Sequence, residues 1–402
     1  MLQDYSIICF GAEDWWYHHT HQSEHLMRRF ARAGNKVVFV NSISMGLPSL
    51  AHKDLLPRVI RKMRSYLRYA RDTEEGIAVV SPPTLPFFGS RTARYLNREL
   101  LAAQINALAK RRKLSRPILW LAIPTAVETI GRFDESLVVY LVVDKYDANT
   151  MDHATDPAHI TRLHERALER ADLILYSGRR MFEEAKRGRE KSFLLEQAVD
   201  FDLFAQAANE ATKIAPELEA IPRPRLGYFG AVEPWLIDQA LVKKAAAERP
   251  DWQWVFIGNR ARGMELDELK NVHYIPTVPY LELPRYAAGF DVCVLPWDVT
   301  NTWTSYTAPL KVREYLATGK PTVISRLHEF ESMRDVLPMA ANHDEFLRMV
   351  EDALNERGDE RSRARQASVA ADTWDARAEQ VSELIEKKLT EKSAVGSQEP
   401  RV

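Results

Sequence analysis

Short unbroken apolar runs alternate with segments of helical period along almost the whole chain, and this alternation limits the fold more than any other feature. In the first half the runs are Ser6–Phe10, 36–41, 77–81, 118–122, 137–143 and Leu173–Tyr176, with helical patterns at 22–33, 92–110 and 159–170. A run that is apolar at every position fits a strand buried on both faces, and strands separated by helices pair in parallel. A second alternation follows: strands at 226–229, 254–257, 273–275, 291–295 and 321–324, with helices at 236–248, 280–288, 309–318 and 344–357. Between the two, residues 210–225 carry three prolines and no strand run, which marks a linker. The expected architecture is α/β, with two Rossmann-like doubly wound parallel-sheet domains at 1–209 and 226–372. A long helix at 373–390 and a polar, disordered tail at 391–402 complete it.

The length of 402 residues suits two cores of ordinary size. A hydrophobic content of 46% with 28% charged residues is the balance of a globular protein in water. The net charge of −1 supplies no global field toward nucleic acid, so none is expected as a partner. Cys9 and Cys293 lie far apart inside apolar runs and read as buried thiols. The N-terminal residues lack a signal-peptide pattern, and no apolar run approaches about 18 residues, so a cytoplasmic location is expected.

Open parallel sheets bind ligands at the carboxyl ends of their strands, which directs attention to particular loops. In LGYFGAVEPW (226–235), Gly227 and Gly230 flank a strand end and the chain turns through Ala231, Glu233 and Pro234. Glycine there lets backbone approach a ligand, although a plain tight turn has the same composition. It is not the G-x-G-x-x-G fingerprint of dinucleotide enzymes. FIGNRARG (256–263) places Asn259, Arg260 and Arg262 after the next strand. Guanidinium groups there suit phosphate or, equally, a solvated surface. The most informative stretch is WTSYTAPLKVREYLATGKPTVIS (303–325), in which Thr304, Ser305, Tyr306 and Thr307 precede Pro309, read as the first residue of a helix. Backbone amides at that helix start, with the helix dipole, fit a diphosphate. Lys311 lies in the first turn, where a cation needs a nearby anion. Glu314, one turn on, can accept hydrogen bonds from ribose hydroxyls.

In the first domain, GAEDWWYHHTHQ (11–22) follows the first strand. Glu13 and Asp14 can orient hydroxyls, Trp15 and Trp16 offer faces for stacking a sugar, and His18 and His21 can carry protons. The alternative is that the tryptophans pack inside and the histidines are solvated. No acidic partner at metal-ligand spacing accompanies the histidines, so no metal is expected. Asp144 follows the run at 137–143 and is the first choice for a carboxylate near an acceptor hydroxyl, or else a cap for the next segment. Between Lys53 and Arg71, seven basic residues stand against one acid, and Leu56, Val59, Ile60, Met63 and Leu67 fall at helical spacing. A basic amphipathic helix is expected there, suited to an anionic bilayer or to packing on the domain with a solvated face.

PLKVREYLATGKPTV (309–323) closely resembles the donor-binding helix of retaining GT-B glycosyltransferases of the large GT4-like group. LGYFGAVEPW, WQWVFIGN, NVHYIPTVPYLELPRYAAGFDVCVLPW and TWDARAEQVSELI support the likeness. ICFGAEDWWYHH, YLVVDKYDANT, ERADLILYSGRRM and FLLEQAVDFDLF resemble teichuronic-acid and capsule-type transferases. The likeness spans nearly all of 5–390. It implies two domains facing a central cleft, with the acceptor bound by the first and the donor by the second, and the last helix crossing back to the first. It further implies that Glu314 holds the donor ribose and Lys311 a phosphate, that residues 276–278, with Thr277 and Val278, frame the base, and that Gly230 and Ala231 lie under the diphosphate. Many relatives carry a second glutamate where this chain has Tyr306, and a histidine in the loop where it reads Ala122-Ile123-Pro124-Thr125.

The reading is therefore a glycosyltransferase that moves a sugar from a nucleoside-diphosphate sugar, with UDP or GDP as the nucleotide, to an acceptor hydroxyl of a glycan or lipid-linked acceptor. Resemblance implies retention at the anomeric carbon, no required cofactor, and a place in polysaccharide or glycolipid synthesis. The catalytic candidates are Asp144, Lys311 and Glu13. A nucleotide-sugar epimerase of the same fold and a degenerate, non-catalytic transferase are the alternatives; the loop after 118–122 offers the epimerase neither base nor acid.

Overall fold

The structure is a computed structural model that describes residues 1–16, 20–41, 70–83, 91–146 and 157–396. The basic stretch that begins at Lys53 lies outside the described residues as far as residue 69, as does His18. The chain divides into two compact units, one of Met1–Glu196 with Trp374–Val402, the other of Gln197–Thr373. The break thus falls after Glu196 rather than at 209. The proposed linker 210–225 is part of the second unit, where Pro216–Glu219 is a helical turn and Leu218 and Ile221 join the core.

The first unit holds an eight-stranded sheet. Its strands are β1 (Ser6–Phe10), β2 (Lys36–Val40), β3 (Ala70–Asp72), β4 (Ala78–Val80), β5 (Ile118–Leu121), β6 (Leu137–Val142), β7 (Leu173–Tyr176) and β8 (Ser192–Leu194). Their order is β3-β4-β2-β1-β5-β6-β7-β8, and all pairs are parallel except β3 with β4. Strands that are apolar at every position, such as β5 and β6, are buried at every position, as coverage of both sheet faces requires. The exposed, polar β3 is an edge strand that no apolar run announces. The helix Trp374–Gly396 completes this unit: Ala378, Val381 and Ile385 enter its core, and the Trp374 indole stacks on His25 at 4.3 Å. Residues 391–396 are helical, against the expectation of a disordered tail from 391.

The second unit has a six-stranded, all-parallel sheet. Its strands are β9 (Arg225–Phe229), β10 (Gln253–Ile257), β11 (Val272–Ile275), β12 (Val292–Leu295), β13 (Thr322–Ser325) and β14 (Met339–Ala340). Their order β11-β10-β9-β12-β13-β14 is the dinucleotide-fold order 3-2-1-4-5-6 counted from β9. Chain direction across the sheet reverses between β9 and β12, so the crevice outside their carboxyl ends is where such a sheet binds ligands. The fold class read from the sequence is the one found, with two Rossmann-like parallel-sheet domains.

Local chemistry sets the boundaries. The helix expected from 236 starts at Gln239, because the amides of Leu236 and Ile237 turn back to the Glu233 carbonyl and Asp238 caps the Leu241 amide at 2.9 Å. The helix after β12 runs Leu310–Ala317, with Pro309 in the flanking extended position rather than inside it. Its far end is held by Arg365, which bonds the Gly319 carbonyl at 2.9 Å and pairs with Glu356, and by Gln366 on the Ala317 carbonyl at 3.0 Å. The expected helix 344–357 is His343–Leu354, followed by a separate helix Glu360–Val369. Among the described residues, no helix is long and apolar enough to cross a membrane.

In β9, Gly227 lies against the fully buried Phe290, and a Cβ there would overlap the ring. Gly227→Ala is expected to destabilise the protein by about 1–3 kcal/mol, from overpacking, read as an earlier urea midpoint at unchanged slope. An unchanged midpoint would refute the contact.

Candidate functional site

The site of the second unit forms where β9 and β12 diverge. At the end of β9 the chain enters Gly230 at φ +137°, a region that side-chain-bearing residues avoid, and its amide bonds the Ile257 carbonyl at 2.8 Å. A Cβ at Gly230 would also occupy the space of the Lys311 side-chain terminus. From the first turn of the Leu310–Ala317 helix, Lys311 reaches back over this strand end. Its Nζ donates to the Tyr228 hydroxyl at 3.1 Å and lies 4.6 Å from the Tyr228 ring centroid and 5.2 Å from that of Trp297. Among the described residues, no carboxylate forms an ion pair with it. A half-buried ammonium held by ring faces and one hydroxyl keeps donors for an anion.

One turn further, Glu314 is 7% exposed. Burial pushes its carboxyl up to about 7, offset in part by a hydrogen bond with Tyr280 and by the Lys311 charge, and raised further by Asp200. Tyr280 also bonds Asp200 at 3.3 Å. Tyr280 and Asp200 are functional candidates that motif reading missed. Asp200 stands 114 positions from Glu314 in sequence, so only the tertiary fold makes them neighbours.

The other expected donor residues surround this centre with their own engagements. Arg260 follows β10, pairs with Asp267 and stacks on the Tyr274 ring at 4.1 Å. The Asn259 carbonyl accepts the Val232 amide at 2.9 Å, joining the loops after β9 and β10 beside Ala231 and Glu233. Thr277 is exposed after β11, and Val278 packs against the core. Ser305 and Thr307 turn their hydroxyls onto the carbonyls of Thr302 (2.7 Å) and Trp303 (3.0 Å), with Tyr306 half-buried between them. These hydroxyls brace the loop that enters the helix.

In the first unit, β1 is flanked by β2 and β5, so its carboxyl end is the equivalent switch point. Glu13 and Asp14 stand there, and Asp14 accepts the Trp16 amide at 3.1 Å. Asp144 follows β6. Burial raises its carboxyl to about 6, with the charge of Glu13 adding to the shift. Glu24, which the motifs did not single out, is 3% exposed. Burial raises it to about 8 against the lowering effect of Arg28, with Glu13 and Asp14 adding to the rise. The structure thus gathers Glu13, Asp14, Glu24 and Asp144 around one strand end. Trp15 corrects the expectation of a stacking platform: it is 6% exposed, meets Phe39 edge-on at 4.8 Å and is covered by Arg28 at 4.6 Å. Trp16 is half-buried beneath Arg71 at 4.2 Å. His21 is exposed and flanks the start of the Gln22–Arg32 helix.

Residues 223–356 match the profile of the family described as Glycosyl transferases group 1. A putative teichuronic acid biosynthesis glycosyltransferase, TuaH, from Bacillus subtilis strain 168 is 28% identical over 221 residues, which is 51% of this chain and 54% of that protein. The match therefore spans about half the length of this relative. Among solved structures, the sucrose-phosphate synthase of Thermosynechococcus elongatus superposes with a TM-score of 0.68 at 12% identity, covering 95% of this chain and 98% of that one. HepE of Anabaena, in complex with UDP and glucose, gives 0.62 at 14% identity, covering 96% and 100%. The trehalose 6-phosphate synthase of Burkholderia multivorans gives 0.63 at 12% identity over the full length of both chains. The fold is accordingly GT-B, and the second unit carries the sequence likeness to glycosyl transferases group 1.

Proposed function

We propose that the chain is a glycosyltransferase that moves a hexosyl group from a nucleoside-diphosphate sugar to an acceptor hydroxyl, with retention at the anomeric carbon. The observation that carries the reading is the half-buried Lys311 ammonium, without a carboxylate partner among the described residues, at the β9/β12 switch point and one turn from buried Glu314. The diphosphate lies against Lys311, the amides that open the Leu310–Ala317 helix, and the Gly230–Ala231 turn. The Glu314 carboxylate accepts the ribose hydroxyls, and Thr277 and Val278 border the base. The C–O bond between the anomeric carbon and the diphosphate breaks, the acceptor oxygen takes its place on the same face, and its proton passes to the departing phosphate oxygen. Stabilising the charge on the leaving diphosphate is then the main catalytic contribution of the protein.

The first unit supplies the acceptor side, with Asp144 and Glu13 as carboxylates for an acceptor hydroxyl. The name of the Bacillus subtilis relative and the UDP and glucose in HepE support polysaccharide synthesis and a UDP-sugar donor, with GDP the next nucleotide to test. A cytoplasmic site of action at the inner face of the membrane belongs to the same proposal, with the basic stretch between Lys53 and Arg71 as the contact to anionic lipid.

Lys311→Ala is expected to weaken UDP or GDP binding by about ten- to a hundredfold in calorimetry, the worth of one charge-assisted contact. Affinity equal to that of the unaltered protein would remove the basis of the assignment. Glu314 gives a second test. Its ionised form is the acceptor, and its carboxyl titrates at about 7, so nucleotide affinity should rise between pH 6 and 8 as the proton leaves. Glu314→Gln is expected to bind more weakly and to retain only the pH dependence of the ligand phosphates. A profile identical in both proteins would discard the ribose role.

A further inference from the structure

Tyr228 is the next-to-last residue of β9, and its side chain is fully buried. A buried phenol needs partners for its hydroxyl, and this one uses all its capacity. It accepts from Lys311 Nζ at 3.1 Å and from Trp297 Nε1 at 3.3 Å, and it donates to the Ala231 carbonyl at 2.7 Å. Three parts of the donor site converge on one oxygen: the cation, the loop after β12, and the turn after Gly230. The same ring presents its face to the Lys311 ammonium at 4.6 Å, and Trp297 does so at 5.2 Å. Gly230 completes the enclosure, because any side chain there would displace the ammonium.

A free lysine side chain carries several rotamers, and freezing them on ligand binding weakens affinity. Here that cost is met within the fold. One of the three ammonium donors is committed to an uncharged oxygen, which fixes its position without neutralising it, and the other two, with no acceptor among the described residues, remain for an anion. A carboxylate partner would have fixed Lys311 equally well and cancelled the charge that an incoming diphosphate needs.

We propose that Tyr228 is a positioning residue that holds the Lys311 ammonium in register with the Gly230–Ala231 turn for the diphosphate of the donor. It acts through Lys311 and does not itself touch substrate. The proposal rests on the nucleotide-sugar reading given above. Tyr228 controls affinity for the phosphates and leaves affinity for the nucleoside alone. Trp297, through its indole N–H, keeps the Tyr228 oxygen oriented and contributes a smaller share of the same effect.

The test is calorimetric titration of the full chain with UDP, GDP, inorganic pyrophosphate and uridine, with circular dichroism to verify the fold of each variant. Tyr228→Phe keeps the ring and its contacts and removes only the hydroxyl. It is expected to lose about five- to thirtyfold in affinity for pyrophosphate and for whichever nucleoside diphosphate binds, with uridine unchanged. Trp297→Phe should lose less on the same ligands. Adding Tyr228→Phe to Lys311→Met, followed by NMR titration into the millimolar range, should cause no further loss, because the lysine through which it acts is gone. Unchanged diphosphate affinity in Tyr228→Phe overturns the proposal. So does an equal loss for uridine, or an undiminished loss in the Lys311→Met background, since either assigns the hydroxyl to the fold of the loop. If Tyr228→Phe misfolds, Trp297→Phe decides alone: a loss confined to phosphate-bearing ligands supports the role, and no loss overturns it. Failure of the unaltered protein to bind any of the phosphates would instead sink the nucleotide-sugar reading, and this proposal with it.

Discussion

A positive charge placed in a half-buried crevice without a negative partner costs desolvation energy that a stable fold would otherwise avoid. Among the described residues Lys311 is such a charge, and much of the second unit is arranged to tolerate it. Aromatic faces substitute for part of its hydration, a saturated phenol oxygen takes one hydrogen bond, and a glycine leaves the space it fills. The sheet order supplies the location, since the loops after β9 and β12 part at the one place where neighbouring connections run in opposite directions. The helix that carries the charge is fixed at its other end by the buried guanidinium of Arg365. Position, enclosure and anchorage are thus three separate features of sequence, and all three bear on one nitrogen atom.

Much of this was legible in the chain alone, for physical reasons that also explain the gaps. Strands buried on both faces leave unbroken apolar runs, so β1, β5, β6, β9 and β12 could be read directly. Lys311 and Glu314 were readable because a cation in a first helical turn, followed by an acid at turn spacing, is unusual without a ligand. Edge strands such as β3, with every residue exposed, leave no such trace. Tyr280, Asp200 and Tyr228 leave no trace for a different reason: each matters through partners remote in sequence, and an isolated tyrosine or acid looks ordinary in any element. Glu24 has its partners Glu13, Asp14 and Arg28 close by in sequence, but an acid in the first turn of a helix looks ordinary until its burial is known. The unit boundary was misplaced because prolines mark a turn in the chain, whereas the division depends on which core each segment enters, and Leu218 and Ile221 enter the second. Trp15 leaves two readings open in the sequence, since an aromatic residue in a loop can face ligand or core, and the packing against Phe39 decides for the core.

The two units treat carboxyl groups alike. Glu314 in one, and Glu24 and Asp144 in the other, have carboxyls raised toward or above neutrality by burial. Such groups bind protons more tightly in the folded chain than in the unfolded one, so their contribution to stability is present below their ordinary values and is lost as pH climbs through the raised ones. Near neutrality they stand close to the boundary between donor and acceptor, a useful condition for groups that must meet hydroxyls. Glu13 contributes to this poise in the first unit, and Asp200 in the second.

The return of the C-terminal helix to the first unit has a consequence for biosynthesis. The second unit is continuous in sequence, so its core can close as soon as residue 373 has left the ribosome. The first unit is begun earlier yet finished later: Ala378, Val381 and Ile385 are missing from its core, and the Leu2 amide lacks its Ser382 acceptor, until residues 378–385 emerge. The nascent chain therefore carries an open apolar face through the whole synthesis of its neighbour, the condition in which exposed apolar surface most favours aggregation.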